Sequence, residues 1–344
     1  VYFVNQEITV RVPGKLILSG EYAVLYGQPA LAMAVNRFAE ITLKMDSLLR
    51  GNDNDIRFFL PDLNHIASIN LQLLRELKHR TQNKYAEFLS NECTIDDVLG
   101  KPFELSQYTF IHVLDELNVP LQHGLEITIH SNIPISSGMG SSAAVIVGIA
   151  FALANLLGKL TNYLKLTRDI ENLQHGHSSG LDLYVALNGG CVRFENGIGI
   201  SRNIPEIPLY LINTGSATMT TGQCIGRVAK HFQNSNSLAR DFGAVTNDFD
   251  RALQNNNLLE VQECIKANHR LLVSIGVVPE RVQRLIHQIE NLGAAGKICG
   301  AGSCEGDNAG VVLIASETDI TSIVKKYGYQ MFKIEGIARG AQII

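Results

Sequence analysis

The chain has 344 residues and no broad excess of basic ones: 29 Lys and Arg stand against 33 Asp and Glu, a formal charge of −4. Without a positive field, neither nucleic acid nor a membrane surface is an expected partner, and an anionic ligand has to be met by a local site. The six cysteines, at 93, 191, 224, 264, 299 and 304, form no CxxC pair and no zinc-spaced cluster with histidine. They read as thiols of a reducing compartment rather than as metal ligands or disulfides. The opening VYFVNQEITVRV lacks the apolar core of a signal peptide. The longest apolar run, Ala143 to Leu157, is shorter than the ~20 residues that span a bilayer. No repeat or low-complexity tract is visible. These absences leave a cytoplasmic globular protein as the expectation, with 46% hydrophobic and 18% charged residues. The length accommodates two domains.

Hydrophobic patterning sketches the order of elements. ITVRVPGKLILSG and RFAEITLKM alternate with period two and predict strands, broken at Pro13-Gly14. Residues 50 to 62 read as polar and turn-rich. From Asn64 to about Glu92, a stripe of Ile69, Leu73 and Leu77 predicts a helix, and SQYTFIHVLDEL predicts another. LEITIHSN predicts a strand with Leu125, Ile127 and Ile129 on one face. The apolar run that follows residue 142 predicts a centrally packed helix. LKLTRDIENLQHG reads as a polar helix, followed by a loop, HSSGLD, and a strand, GGCVRF. PEIPLYLINTG begins a new context, so the expected domains are residues 1–198 and 199–344. The second half predicts two long amphipathic helices, NDFDRALQNNNLLEVQECIKANHRLL and PERVQRLIHQIENLG. A glycine-rich turn, a strand (VVLIAS) and a last helix–strand element follow.

Residues 134–144 read PISSGMGSSAA, between the LEITIHSN strand and the buried helix. Strand, glycine-rich loop and helix is a layout that binds phosphate: the first helical turn leaves backbone N–H groups without partners, and that end of the helix is positive. Gly138 and Gly140 let the backbone approach a ligand closely. Ser141 and Ser142 are able to cap the helix, and a hydroxyl there is able to ligate Mg²⁺. The same residues also suit a plain glycine turn with a serine cap. The pattern is neither GxxxxGK[ST] nor GxGxxG, so neither a P-loop nor a Rossmann turn is implied.

PISSGMGSSAA resembles the second motif of the GHMP small-molecule kinases, P-x-G-x-G-L-G-S-S-A. PGKLILSGEYAVLYGQPALAMAV, residues 13–35, resembles the first motif, and KICGAGSCEGDNAGVVLI, residues 297–314, resembles the third. The three stand in family order across nearly the whole chain. Within the family, ENLQHGHSSGLDLYVALNGG, INTGSATMTTGQCI and KANHRLLVSIGV are similar to segments of the mevalonate kinase branch. Three departures stand out: Tyr22 where GEH has His, Ser178 where HG-x-PSG has Pro, and GAGSCEGDNAG in place of GAGGGG. The resemblance implies a two-domain α+β fold, ribosomal-S5-like then ferredoxin-like, with the active site between the domains. It implies ATP-dependent phosphorylation of the 5-hydroxyl of mevalonate. Phosphomevalonate kinase, another small-molecule kinase of the family and a non-catalytic ligand sensor are the alternatives.

The resemblance also implies roles for single residues. Asp182 would align the substrate hydroxyl and accept its proton, and Lys15 would stand beside it; a loop Asp in an Asx turn and an edge-strand Lys are the alternatives that the residues alone allow. Pro134, Ser137, Gly138, Met139, Gly140, Ser141 and Ser142 would hold the ATP phosphates. Ser142 and Glu171 would hold Mg²⁺, and Glu21, Tyr22 and Thr220 (or Thr221) would lie by the substrate. His175 reads as structural, and Gly300 and Gly302 as the floor of the site. Cys299 and Cys304 have no expected role. A homodimer is a further implication of the family.

Overall fold

The computed structural model describes residues 7–46, 55–121, 123–135, 137–233 and 236–344. Two sheets organise the chain. The first contains β1 (Glu7–Ser19), β2 (Ala30–Asp46), β3 (Asp55–Leu60), β4 (His65–Asn70) and β5 (Gly124–Ser131), joined by β6 (Cys191–Glu195), β7 (Ile198–Arg202) and the final strand. Helices α1 (Leu71–Leu89), α2 (Glu104–Leu117), α3 (Ser141–Leu156), α4 (Tyr163–His175) and α5 (Leu181–Asn188) accompany it. The second sheet contains β8 (Leu209–Asn213), β9 (Ala295–Ile298), β10 (Val311–Ala315) and β11 (Gln330–Lys333). Its helices are α6 (Thr221–Gln233), α7 (Asn236–Gln254), α8 (Leu258–Ser274), α9 (Glu280–Glu290) and α10 (Thr321–Lys326), and β12 (Gln342–Ile343) ends the chain.

The first sheet runs β12-β1-β2-β5-β3-β4, with β6 pairing with β2 and β7. The second runs β11-β8-β10-β9 with every pair antiparallel. In order of appearance that is fourth, first, third, second, the arrangement of a ferredoxin-like sheet. The molecule is thus a two-domain α+β protein. The first sheet continues through the β6–β7 hairpin to Arg202, so the sheets part between Arg202 and Leu209 rather than at residue 198, and β12 brings the chain end back to β1.

The helix after the glycine loop is central because its sequence leaves it no polar face. In α3, Ile146, Val147, Ile149, Ala150 and Leu153 are fully buried, and each large side chain contributes ~1.5–3 kcal/mol by leaving water. The helix packs on β1, β2, α2, α4 and α5, fixing its N-terminus beside β1 and α5.

Several elements differ from expectation. The stretch expected to be turn-rich contains β3, where Ile56, Phe58 and Leu60 alternate inward; residues 50–54 lie outside the described residues. The helix expected from Asn64 starts only at Leu71, because residues 65–70 pair with β3, and Leu73 of the proposed stripe is exposed. Helices α5 and α6 were not expected. The first long amphipathic segment is two helices, broken where Asn256 takes a left-handed conformation and Asn257 caps α8 through its side chain.

Candidate active site

The site is built around Lys15. β1 shifts register with β2 between Pro13 and Gly14, the break that Pro13-Gly14 predicts, and Lys15 follows it. Its backbone N–H donates to the Met139 carbonyl at 2.9 Å. Its Nζ donates to the Gly138 carbonyl at 3.1 Å and lies 3.0 Å from Asp182 Oδ2. The Lys15 side chain is only 4% exposed and that of Asp182 is 23% exposed, so the lysine is the buried partner and the carboxylate the one that solvent reaches. Asp182 lies in the first turn of α5, after Gly180 in a left-handed conformation. Its carboxylate is therefore flanked by a lysine and by the positive end of a helix.

The glycine turn meets Lys15 from the other side. Gly138 and Gly140 have φ of 82° and 71°, which side chains disfavour. Space excludes side chains as well: a Cβ on Gly138 would lie 2.4 Å from the Cys299 carbonyl oxygen, and one on Gly140 2.9 Å from Lys15 Cγ. Gly140 is the N-cap of α3 and no side chain caps it, so the expected capping role of Ser141 and Ser142 is not observed. Both hydroxyls stand in the first turn, half-buried. Ser137 turns its hydroxyl to the Pro134 carbonyl at 2.6 Å, and the Met139 side chain is buried. These three residues shape the turn, whereas Gly138, Gly140, Ser141 and Ser142 are half-buried.

Glu171 and His175 lie one turn apart on α4 and share a face. Glu171 is 1% exposed and accepts a hydrogen bond from the Ser178 hydroxyl. Removal from water, and then the nearby Asp182 charge, push its pKa well up, against the opposing pull of Ser178, Lys15 and Arg168. His175 Nε2 is 3.4 Å from Ser142 Oγ. Removal from water lowers its pKa to about 4, so it is neutral at ordinary pH. Ser178, the departure from the family pattern, also accepts from the Gly180 N–H at 3.0 Å and so shapes the turn that presents Asp182. Its unusual place was the signal available in the sequence.

Among the described residues, no three His, Cys, Asp or Glu side chains converge as a self-sufficient metal site. The donor set still fits Mg²⁺. A buried carboxylate crowded by a second acid gains from a nearby cation, and Mg²⁺ takes few protein oxygens when phosphate and water complete its shell. Glu171 and the Ser142 hydroxyl would supply those oxygens.

The three residues expected to lie by the substrate each have a partner within the chain. The Glu21 carboxylate is 1% exposed and paired with Lys297. Tyr22 is buried in the core of the second domain and donates its hydroxyl to the Ala301 carbonyl. Thr220 is exposed at the start of α6, its hydroxyl 3.2 Å from Asp96 Oδ1, with Gln223 Nε2 2.6 Å from the other oxygen of Asp96. Thr221 is the first residue of α6. Gly300 backs Gly138, while Gly302 packs on Val277 and Ile298. Lys297 was not anticipated, although a lysine inside the otherwise apolar strand AGKI was visible in the sequence.

The chain is similar to known proteins in both sequence and fold. The model of the GHMP kinases N terminal domain matches residues 105–190, and that of the GHMP kinases C terminal domain matches residues 251–305. The chain is 29% identical over 317 residues to the mevalonate kinase of Pyrococcus furiosus, covering 86% of each. It is 27% identical over 358 residues to that of Thermococcus gammatolerans, covering 95% of this chain and 99% of the relative. The crystal structure of the Methanococcus jannaschii mevalonate kinase has the same fold, with a TM-score of 0.77 at 22% identity over 97% of this chain and 99% of that one. The chain thus carries the N-terminal and C-terminal domains of the GHMP kinases in order, and its fold is that of a mevalonate kinase structure from end to end.

Proposed function

We propose that this protein is an ATP-dependent mevalonate kinase that phosphorylates the 5-hydroxyl of mevalonate. The observation that carries a kinase reading is the Lys15–Asp182 pair, 3.0 Å apart beside the Gly138–Ser142 turn. The acceptor comes from the curated relatives, mevalonate kinases of which this chain covers most of the length.

Phosphoryl transfer depends on positioning and charge neutralisation more than on covalent catalysis. The backbone of Gly138 to Ser142 and the N-terminus of α3 receive the nucleotide phosphates. Asp182 aligns the substrate hydroxyl and takes its proton as the oxygen bonds to the γ-phosphorus. The bond from that phosphorus to the bridging oxygen breaks, leaving ADP. Lys15 holds Asp182 in place and offsets charge on the transferring group. Mg²⁺, held by Glu171 and Ser142, would supply charge neutralisation at the phosphates. Neutral His175 supports the Ser142 hydroxyl. A cytoplasmic location and a homodimer complete the reading, the former in keeping with six unpaired cysteines.

The test is ADP release with mevalonate, phosphomevalonate, homoserine and galactose as acceptors. Fastest turnover of mevalonate is expected. Faster turnover of phosphomevalonate reassigns the acceptor, and turnover of none favours a ligand-binding protein.

A further inference from the structure

Away from the catalytic pair, a second lysine and acid meet where the two domains touch. Lys297, in the middle of β9, has no exposed surface, and Glu21, in the turn after β1, is 1% exposed. Their side chains form an ion pair across the domain boundary. Lys297 Nζ also donates to the Ile17 carbonyl at 3.3 Å, where β1 shifts register against β2 between Ile17 and Ser19. The remaining Glu21 oxygen, Oε2, is buried without a partner.

Such a pair is a poor source of stability. Two charges lose their water, and the orphaned oxygen is not compensated; apolar residues of similar volume commonly do as well or better in such places. Its location suggests another use. Two residues before Ile17 on β1 is Lys15. Two residues after Lys297 is Cys299, whose carbonyl oxygen, with Gly300, lies against Gly138. Gly138 is therefore held between Lys15 Nζ, which donates to its carbonyl, and the Cys299–Gly300 backbone. The Lys297 ammonium joins the strands that lead into these two walls, through Glu21 and the Ile17 carbonyl. Nearby polar contacts tie the same segment to the second domain: Asn268 Nδ2 donates to Ser19 Oγ at 2.8 Å, and Ser19 Oγ is 2.8 Å from Thr246 Oγ1.

We infer that Glu21 and Lys297 are positioning residues: a buried latch that sets the register between the strand of Lys15 and the glycine loop behind Gly138, so that nucleotide phosphates and the Lys15–Asp182 pair are held in reacting geometry. The inference rests on the kinase reading, although its binding arm does not depend on the acceptor.

The experiment compares wild type, Lys297→Met and the double variant Glu21→Leu/Lys297→Met. It measures melting temperature, the Kd of the non-hydrolysable analogue AMPPNP by calorimetry, and kcat with the best acceptor of the panel. The single variant leaves a buried carboxylate unpaired and melts lower. The double variant removes both charges and is expected to melt close to wild type, with Kd and kcat each worse by about tenfold or more, the scale of a sub-ångström to ångström misplacement. A double variant that keeps wild-type Kd and kcat overturns the inference. So does one that melts as low as the single variant while binding AMPPNP normally, since the pair would then be structural only. If the wild type binds AMPPNP but phosphorylates no acceptor, the acceptor assignment fails, and the binding arm still reads the latch.

Discussion

Gly138 and Gly300 meet backbone to backbone: a Cβ on Gly300 would sit 2.9 Å from the Gly138 Cα. The second and third family motifs, one from each domain, thus touch at two residues that have no side chain. Lys15 donates to the carbonyl of the same Gly138, so all three motifs converge on one peptide unit.

Gly138→Ala therefore combines a left-handed φ with a clash on the Cys299 carbonyl, which is backbone and does not yield easily. A loss of more than roughly 1–2 kcal/mol of stability is expected, together with weaker nucleotide binding. Gly140→Ala shares the left-handed φ but meets the flexible Lys15 side chain rather than backbone, so a smaller loss of stability than for Gly138→Ala is expected, with kcat lowered through the displaced lysine. Urea denaturation and AMPPNP calorimetry check both; a Gly138→Ala protein as stable as wild type contradicts the packing described.

Asp182→Asn keeps the size of the side chain and removes the proton acceptor. A fall in kcat of about a hundredfold or more is expected, with AMPPNP affinity little changed, because the glycine turn binds the phosphates separately. Lys15→Met is expected to lose kcat too, and the double variant less than the product of the singles. Near-normal kcat in a folded Asp182→Asn protein would return Asp182 to a structural role.

For the metal, Glu171→Gln is the direct probe. The substitution removes the carboxylate that is proposed to hold Mg²⁺ while keeping an acceptor for Ser178. The Mg²⁺ concentration for half-maximal activity is expected to rise by about tenfold or more, with folding intact. An unchanged titration would separate Glu171 from metal binding.

His269 gives a pH dependence of stability. Burial, with Lys297 and Arg270 nearby, lowers its pKa from 6.5 to about 4. Between those values the unfolded chain takes up a proton that the folded protein refuses, so stability is lost as pH falls through this window and is fully present above it. His175 acts in the same direction. Each contributes up to about 1.4 kcal/mol per pH unit to the slope. His269→Gln is expected to flatten the decline between about pH 6.5 and about pH 4 by up to one proton, read from urea midpoints. An unchanged slope would mean that His269 is protonated in the fold.

Turn chemistry and apolar patterning made part of the fold legible in the sequence. Gly138 and Gly140 were legible because turns with positive φ require glycine, and α3 because the run from Ala143 to Leu157, with Asn155 its one polar residue, leaves no polar face. Lys15, Asp182, Glu171 and Ser142 were singled out through the resemblance to the family motifs, not by their own spacing, and their roles belong to the proposed function. The strand at 65–70 was not legible, because short segments take their conformation from the strand beside them, here β3, rather than from their own periodicity. The destinations of Glu21, Tyr22 and Thr220 were not legible either. Their partners Lys297, Ala301 and Asp96 lie far away along the chain, and only packing of the two domains decides which buried charge or carbonyl a side chain meets. Local pattern fixes the backbone that a residue rides on. The tertiary structure fixes what that residue touches, because burial forces each polar group to find whichever partner the fold brings near.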